Sequence, residues 1–211
     1  EVDHETGTRD VQSLSGLIKV MPVTAVAAGL AALSMSGFPP LLGFISKELL
    51  YEAKLQLQDS GYLILVMGVL ANMINVAIAV TVGVRPFFGE VSIKKQDLHE
   101  APFTLWIGPL LLAGTGLLLG LFPAVLSDSI VAPALLAVRA EETAIKLKLW
   151  HGINPAFILS VITVLAGLGL YGIRSFFQKM ATASTFLMPF RPSTLYQRGL
   201  DGLLKFAGFQ T

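Results

Sequence analysis

The dominant pattern along the chain is a set of long uncharged apolar runs separated by short polar stretches. Val20 to Ser46 carries no charge over 27 residues, Gly61 to Val84 over 24, and Gly152 to Ile173 over 22. Ala101 to Ser127 is a further uncharged run, interrupted by Pro109 and ending near Pro123. A helix needs about 20 apolar residues to cross a bilayer, so each run predicts membrane-spanning helix. The first run contains Gly37 and the pair Pro39-Pro40. Two adjacent prolines remove backbone donors and clash with the preceding turn, so one straight helix cannot pass through them. The pattern is therefore read as spans over 21–36, 41–58, 61–84 and 101–127, then an amphipathic segment over 128–150 and a span over 152–173. An amphipathic helix restarts at Tyr196 and runs to the last residue.

This organisation predicts an all-α, polytopic bundle of transmembrane helices with one discontinuous helix. It divides at about 127/128, with the bundle before and the amphipathic segment, last span and terminal helix after. Small residues at Ala25, Ala27, Ala28, Gly29, Ala31 and Ala32 suit helix–helix contact, as does the Gly116-x-x-x-Gly120 spacing. The loops 1–19, 85–100 and 174–195 are polar.

Composition supports the class. The chain is 54% hydrophobic and 14% charged, against about 25% charged in soluble domains. The formal net charge of +1 gives no case for nucleic acid, and with no cysteine there is no thiolate site or disulfide. The chain opens at Glu1 without a signal-peptide pattern and ends within an amphipathic stretch, which reads as a piece of a longer polypeptide. Basic residues over five spans total eight on the side of loop 85–100 and of the region after Ile173, and six on the other. That places the former in the cytoplasm and the first loop outside.

Chemistry concentrates in one place. Lys47 and Glu48 follow the broken run, inside the second predicted span. A lysine at bilayer depth costs roughly 2.5 to 3.5 kcal/mol on insertion scales and needs a partner. Burial favours its neutral amine and a neighbouring carboxylate its ammonium, so it is a candidate for exchanging a proton. The alternative is that the helix ends early and Lys47 snorkels to the interface. Gly37, Pro39, Pro40 and Gly43 are the candidate helix-break residues. Ser46, Asn72 and Asn75 are candidates for a polar pathway or for packing. His4, Glu5, Arg9 and Asp10 lack metal-ligand spacing and read as a solvated loop. No nucleotide fingerprint, P-loop or nucleophile-and-base arrangement occurs, so no catalytic site, metal or cofactor is expected.

The segments HETGTRD (His4–Asp10), Met21-Pro22 and ALSMSGFPPLLGFISKELLYEA (Ala32–Ala53) resemble the antiporter-like subunits shared by Mrp-type sodium/proton antiporters and respiratory complex I. The pattern is nearest that of the large A subunits of Mrp antiporters, over about Asp3 to Pro86. The resemblance implies a core of fourteen helices with two broken mid-membrane, of which this chain would cover helices eleven to fifteen and hold the second broken one. It implies that Lys47, with Glu48 beside it, belongs to a chain of lysines, histidines and waters carrying protons. It further implies a multi-pass protein of the cell (inner) membrane, with lipid, other antiporter subunits, H+ and a monovalent cation, Na+ first, as partners. A proton-pumping subunit of a redox complex is the alternative. The first broken helix and its lysine lie outside these residues, so the piece alone should not transport.

Overall fold

The computed structural model describes residues 2–57, 61–91, 98–140, 147–150, 152–176, 196–197 and 199–204. The chain divides into two compact units, Glu1–Tyr171 and Gly172–Thr211. All regular structure among the described residues is helical. In the second unit these residues are largely helical, and the remainder of the predicted terminal helix, 198 and 205–211, lies outside them.

The first unit opens with a short helix α1 (Val2–Thr6) and a 3-10 turn at Leu17–Lys19. Helices α2 (Pro22–Met35) and α3 (Leu42–Leu55) have 14 residues each, about 21 Å apiece. Neither alone spans a hydrocarbon core about 30 Å thick. Helix α4 (Gly61–Ala79) continues through a π turn (Val80–Val84) and a 3-10 turn (Arg85–Phe87). Together they form an apolar rod of 27 residues. Helix α5 (Phe103–Leu121) keeps Pro109 inside it and stops before Pro123. Helix α6 (Pro123–Leu126), a π turn (Ser127–Val131) and α7 (Ala132–Arg139) follow. Residues 141–146 of the predicted amphipathic segment lie outside the described residues. Helix α8 (Pro155–Gly172) is the last long apolar helix.

The α4 rod, α5 and α8 are each long and apolar enough to cross a membrane. Their outward faces carry large apolar side chains such as Leu63, Met67, Leu112 and Leu165, a surface suited to lipid rather than water.

The arrangement of α2 and α3 revises the five-span reading. Ala28 and Ala32 of α2 pack against Gly83, near the end of the α4 rod. Tyr51 of α3 bonds Asn72, and Lys54 lies over Gly68, towards its start. Both helices thus run antiparallel to the same rod, one after the other, and α2 and α3 run in the same direction. They form one crossing broken in the middle, not two.

The loop contacts agree. Gly16 N donates to Phe88 O at 3.1 Å, Ser15 Oγ to Glu90 O at 2.5 Å, and Arg85 to Gln12 O at 3.4 Å. The first loop and residues 85–91 therefore meet at one end of the bundle, and the expectation that the first loop and the loop after the 61–84 span lie on opposite sides is wrong. The error came from counting the two halves as two crossings, which inverts every side after the first. Among the described residues four crossings, not five, follow from this geometry, so the numbering from eleven to fifteen falls with the five-span count.

Candidate functional site: a lysine at the break

Helix α2 stops because Gly37 takes a left-handed conformation, φ +67°, which glycine adopts without steric cost. The amide of Phe38 donates to Leu33 O at 3.0 Å and that of Gly37 to Ser34 O at 3.0 Å, a Schellman closure of the helix. A turn through Pro39 and Pro40, joined by a cis peptide and closed by Leu41 N donating to Phe38 O at 3.1 Å, then leads into α3. Gly43 lets the start of α3 press on the end of α2: a Cβ there would collide with Ser34 O. On the other side a Cβ on Gly120 of α5 would collide with Pro40 O. Gly120 thus makes the close approach predicted for it, whereas nothing lies within 4 Å of a Cβ at Gly116.

Lys47 occupies the space this break creates. Its side chain is 6% exposed, and Nζ donates to Ser36 O at 3.0 Å. Ser36 is the residue that caps the C-terminus of α2. The ammonium thus sits at the negative end of a 14-residue helix dipole, where positive charge is favoured. Gly37 is required here twice. Besides its left-handed backbone, a Cβ on it would lie 2.6 to 2.9 Å from Cε, Nζ and Cδ of Lys47. Glu48 is equally buried beside it.

The depth of Lys47 follows from the pairing with α4. Tyr51, one turn further along α3, reaches Asn72, and Lys54 reaches Gly68. Lys47 therefore lies within about a turn of Ile74, the middle of the 61–87 rod. It is also about 10 Å deeper than Lys54. The snorkelling alternative needed these two lysines at one level.

The other candidate residues divide. Asn72 joins a buried cluster: its Nδ2 donates to Tyr51 Oη at 2.9 Å, and Tyr51 Oη lies 2.9 Å from Thr163 Oγ1 of α8. Asn75 is half-buried. Ser46 is exposed, whereas Lys47 beside it is buried. Glu5, read as part of a solvated loop, is buried, with His4 Nδ1 at 3.0 Å and His99 Nδ1 at 3.4 Å. Arg9 pairs with Asp3 at 2.7 Å.

Sequence reasoning missed Glu100. Its carboxylate accepts from Val23 N at 2.8 Å, Thr24 N at 3.2 Å and Thr24 Oγ1 at 2.5 Å. It caps the N-terminus of α2 from a loop 77 residues away. The available signal was an acid placed directly before an apolar span. Tyr51 and Thr163 were also missed, although Tyr51 stands four residues after Lys47, the spacing of one helix face.

Residues 1–75 match the membrane-protein family described as NADH:quinone oxidoreductase/Mrp antiporter. The A subunit of the Na(+)/H(+) antiporter of Alkalihalophilus pseudofirmus is 30% identical over 227 residues, covering 100% of this chain and 28% of that protein. The A1 subunit of the Na(+)/H(+) antiporter of Staphylococcus aureus (strain JH9) is 30% identical over 190 residues, covering 85% of this chain and 24% of its own length. The solved Mrp complex from Dietzia sp. DQ12-45-1b contains a chain that superposes with a TM-score of 0.73 at 29% identity, over 98% of this chain and 23% of that one. The chain thus spans about a quarter of the length of these relatives. Sequence and fold together make it a multi-pass membrane protein whose first 75 residues match the family that Mrp antiporters and NADH:quinone oxidoreductases share, and which is similar along its length to Na(+)/H(+) antiporter A subunits.

Proposed function

We propose that this chain is part of a cation/proton antiporter subunit, and that Lys47 carries protons in it. One observation supports this above the others: a buried lysine at mid-depth, with its ammonium against the open end of a broken helix. A scaffold has no use for such a group, given the cost of placing it there. Lys47 would take a proton from a relay and release it towards one face, with Glu48 adjusting the local field. A membrane potential of 100 mV contributes about 2.3 kcal/mol per charge moved, enough to couple proton entry to Na+ leaving. On this reading residues 1–127 supply the second half of the antiporter-like core and the segment from 128 onward the following helices. The complete complex sits in the cell membrane, and its role is secondary transport rather than enzymatic catalysis.

The similarity to Na(+)/H(+) antiporter subunits favours this over a redox-driven pump. The experiment uses inverted vesicles carrying the complete complex, energised by an imposed pH gradient and given no electron donor. Addition of Na+ should dissipate the gradient within the assay. A preparation that ignores Na+ but builds a gradient when a quinone reductant is supplied would replace this reading with the redox alternative.

A further inference from the structure

The α3–α4–α8 junction holds a second group of buried polar side chains, distinct from the Lys47–Ser36 contact. Helix α8 turns one stripe towards the bundle: Ala156, Ser160, Thr163 and Gly167 are its buried residues. Ala156 packs with Tyr51 and Leu65, Thr163 bonds Tyr51, and Gly167 meets Val76 and Met73 O. Ser160 lies between the two positions that touch Tyr51, so it faces the same junction. It is 3% exposed, and its Oγ has no hydrogen-bond partner among the described residues.

The protons of this cluster have a definite order. Thr163 donates its hydroxyl proton to Leu159 O at 2.6 Å. Its Oγ1 must then accept from Tyr51 Oη, which in turn accepts from Asn72 Nδ2. Thr163 Oγ1 keeps one lone pair and Ser160 Oγ keeps both its donor and its acceptors. In a hydrocarbon-surrounded bundle an unmet hydroxyl is costly, and buried hydroxyls of this kind take up water bridged to neighbouring polar atoms. Helical side chains lean towards the N-terminus of their own helix. That lean carries the Tyr51 side chain from its own turn of α3 towards the preceding one, which holds Lys47 and Glu48, both buried.

We infer that Ser160 holds a buried water and that this water, with Tyr51, Thr163 and Asn72, forms a polar branch leading from the Lys47–Glu48 turn to α8. Protons move along it by hops in which each hydroxyl or water releases one proton as it takes another, with no net change in the groups themselves. The inference rests on the transport reading of Lys47 and adds to it Ser160 and Tyr51 as positioning residues on a route through α8.

The test uses the complete complex reconstituted in vesicles, with Ser160→Ala, Ser160→Thr and Lys47→Ala compared at equal protein content. A map of the complex fine enough to show ordered water accompanies them. Expected are density within hydrogen-bond distance of Ser160 Oγ and about a tenfold fall in exchange for Ser160→Ala, the worth of one lost hydrogen bond in a buried site. Ser160→Thr, which keeps the hydroxyl, should exchange at the rate of the unmodified complex. Wild-type exchange by Ser160→Ala alongside a silent Lys47→Ala overturns the branch and leaves the Lys47 reading standing. Wild-type exchange by both variants overturns both. A map in which Ser160 bonds only the carbonyl of its own helix, without water, also overturns the branch.

Discussion

At the scale of single residues, Gly37 and Lys47 form one device. The left-handed turn at Gly37 ends α2, exposes the Ser36 carbonyl and leaves room for the lysine stem that reaches it. Gly37→Ala therefore meets two obstacles. The backbone conformation costs roughly 1 to 2 kcal/mol for any L side chain, and the added methyl lies 2.6 Å from Lys47 Cε, so the lysine stem must shift. The variant should lower the thermal midpoint of the complex and reduce exchange together. A variant that loses neither would show that the lysine does not need this notch. Much of this was legible in the sequence: a charge pair beginning seven residues after the second proline of Gly-Phe-Pro-Pro marks both break and cargo. Ser46 shares the segment but falls on the exposed face, because adjacent residues on a helix point about 100° apart.

At the scale of elements, the first half of the broken crossing is met at both ends by side chains from outside it, Glu100 at its start and Lys47 at its end. Glu100 satisfies the free amides of Val23 and Thr24, while Met21 O takes that of Ala25. Glu100→Ala should cost about 1 to 2 kcal/mol, the usual loss on removing an N-cap. Hydrogen exchange locates the effect: the amides of Val23 and Thr24 should exchange faster, while those of α8 keep their rates. Unchanged protection at α2 would mean that the carboxylate is not its cap. Neither this cap nor the Tyr51–Thr163 pair, 112 residues apart, could be read from periodicity, since local pattern holds no information on which distant side chain closes a helix end. The long helices were legible. Spans read over 61–84 and 152–173 became 61–87 and 155–172, because their apolar runs are bounded by charge and proline.

At the scale of the whole molecule, the break sets the topology. Counting α2 and α3 as one crossing puts the first loop and loop 85–91 at one end of the bundle and the α3–α4 connection at the other. The sequence carries no cysteine, so single-cysteine variants report side cleanly. Cysteines at the exposed positions Gln12 and Glu90 should react with an impermeant maleimide from the same side of sealed vesicles, and one at Gln56 from the opposite side. Labelling of Gln12 and Glu90 variants from opposite sides would restore the five-span arrangement. Hydropathy missed this because two half-helices of 14 residues, read one after the other, look like two short spans.

Proton transfer by Lys47 requires its place at depth, and Lys54 on the same helix, two turns nearer the surface, is the internal control. Sodium-dependent proton exchange should be compared in vesicles bearing the complete complex with Lys47→Ala or Lys54→Ala, at matched assembly. The prediction is loss of exchange in the first and near-normal exchange in the second. Undiminished exchange without Lys47, or equal loss from both, would contradict it.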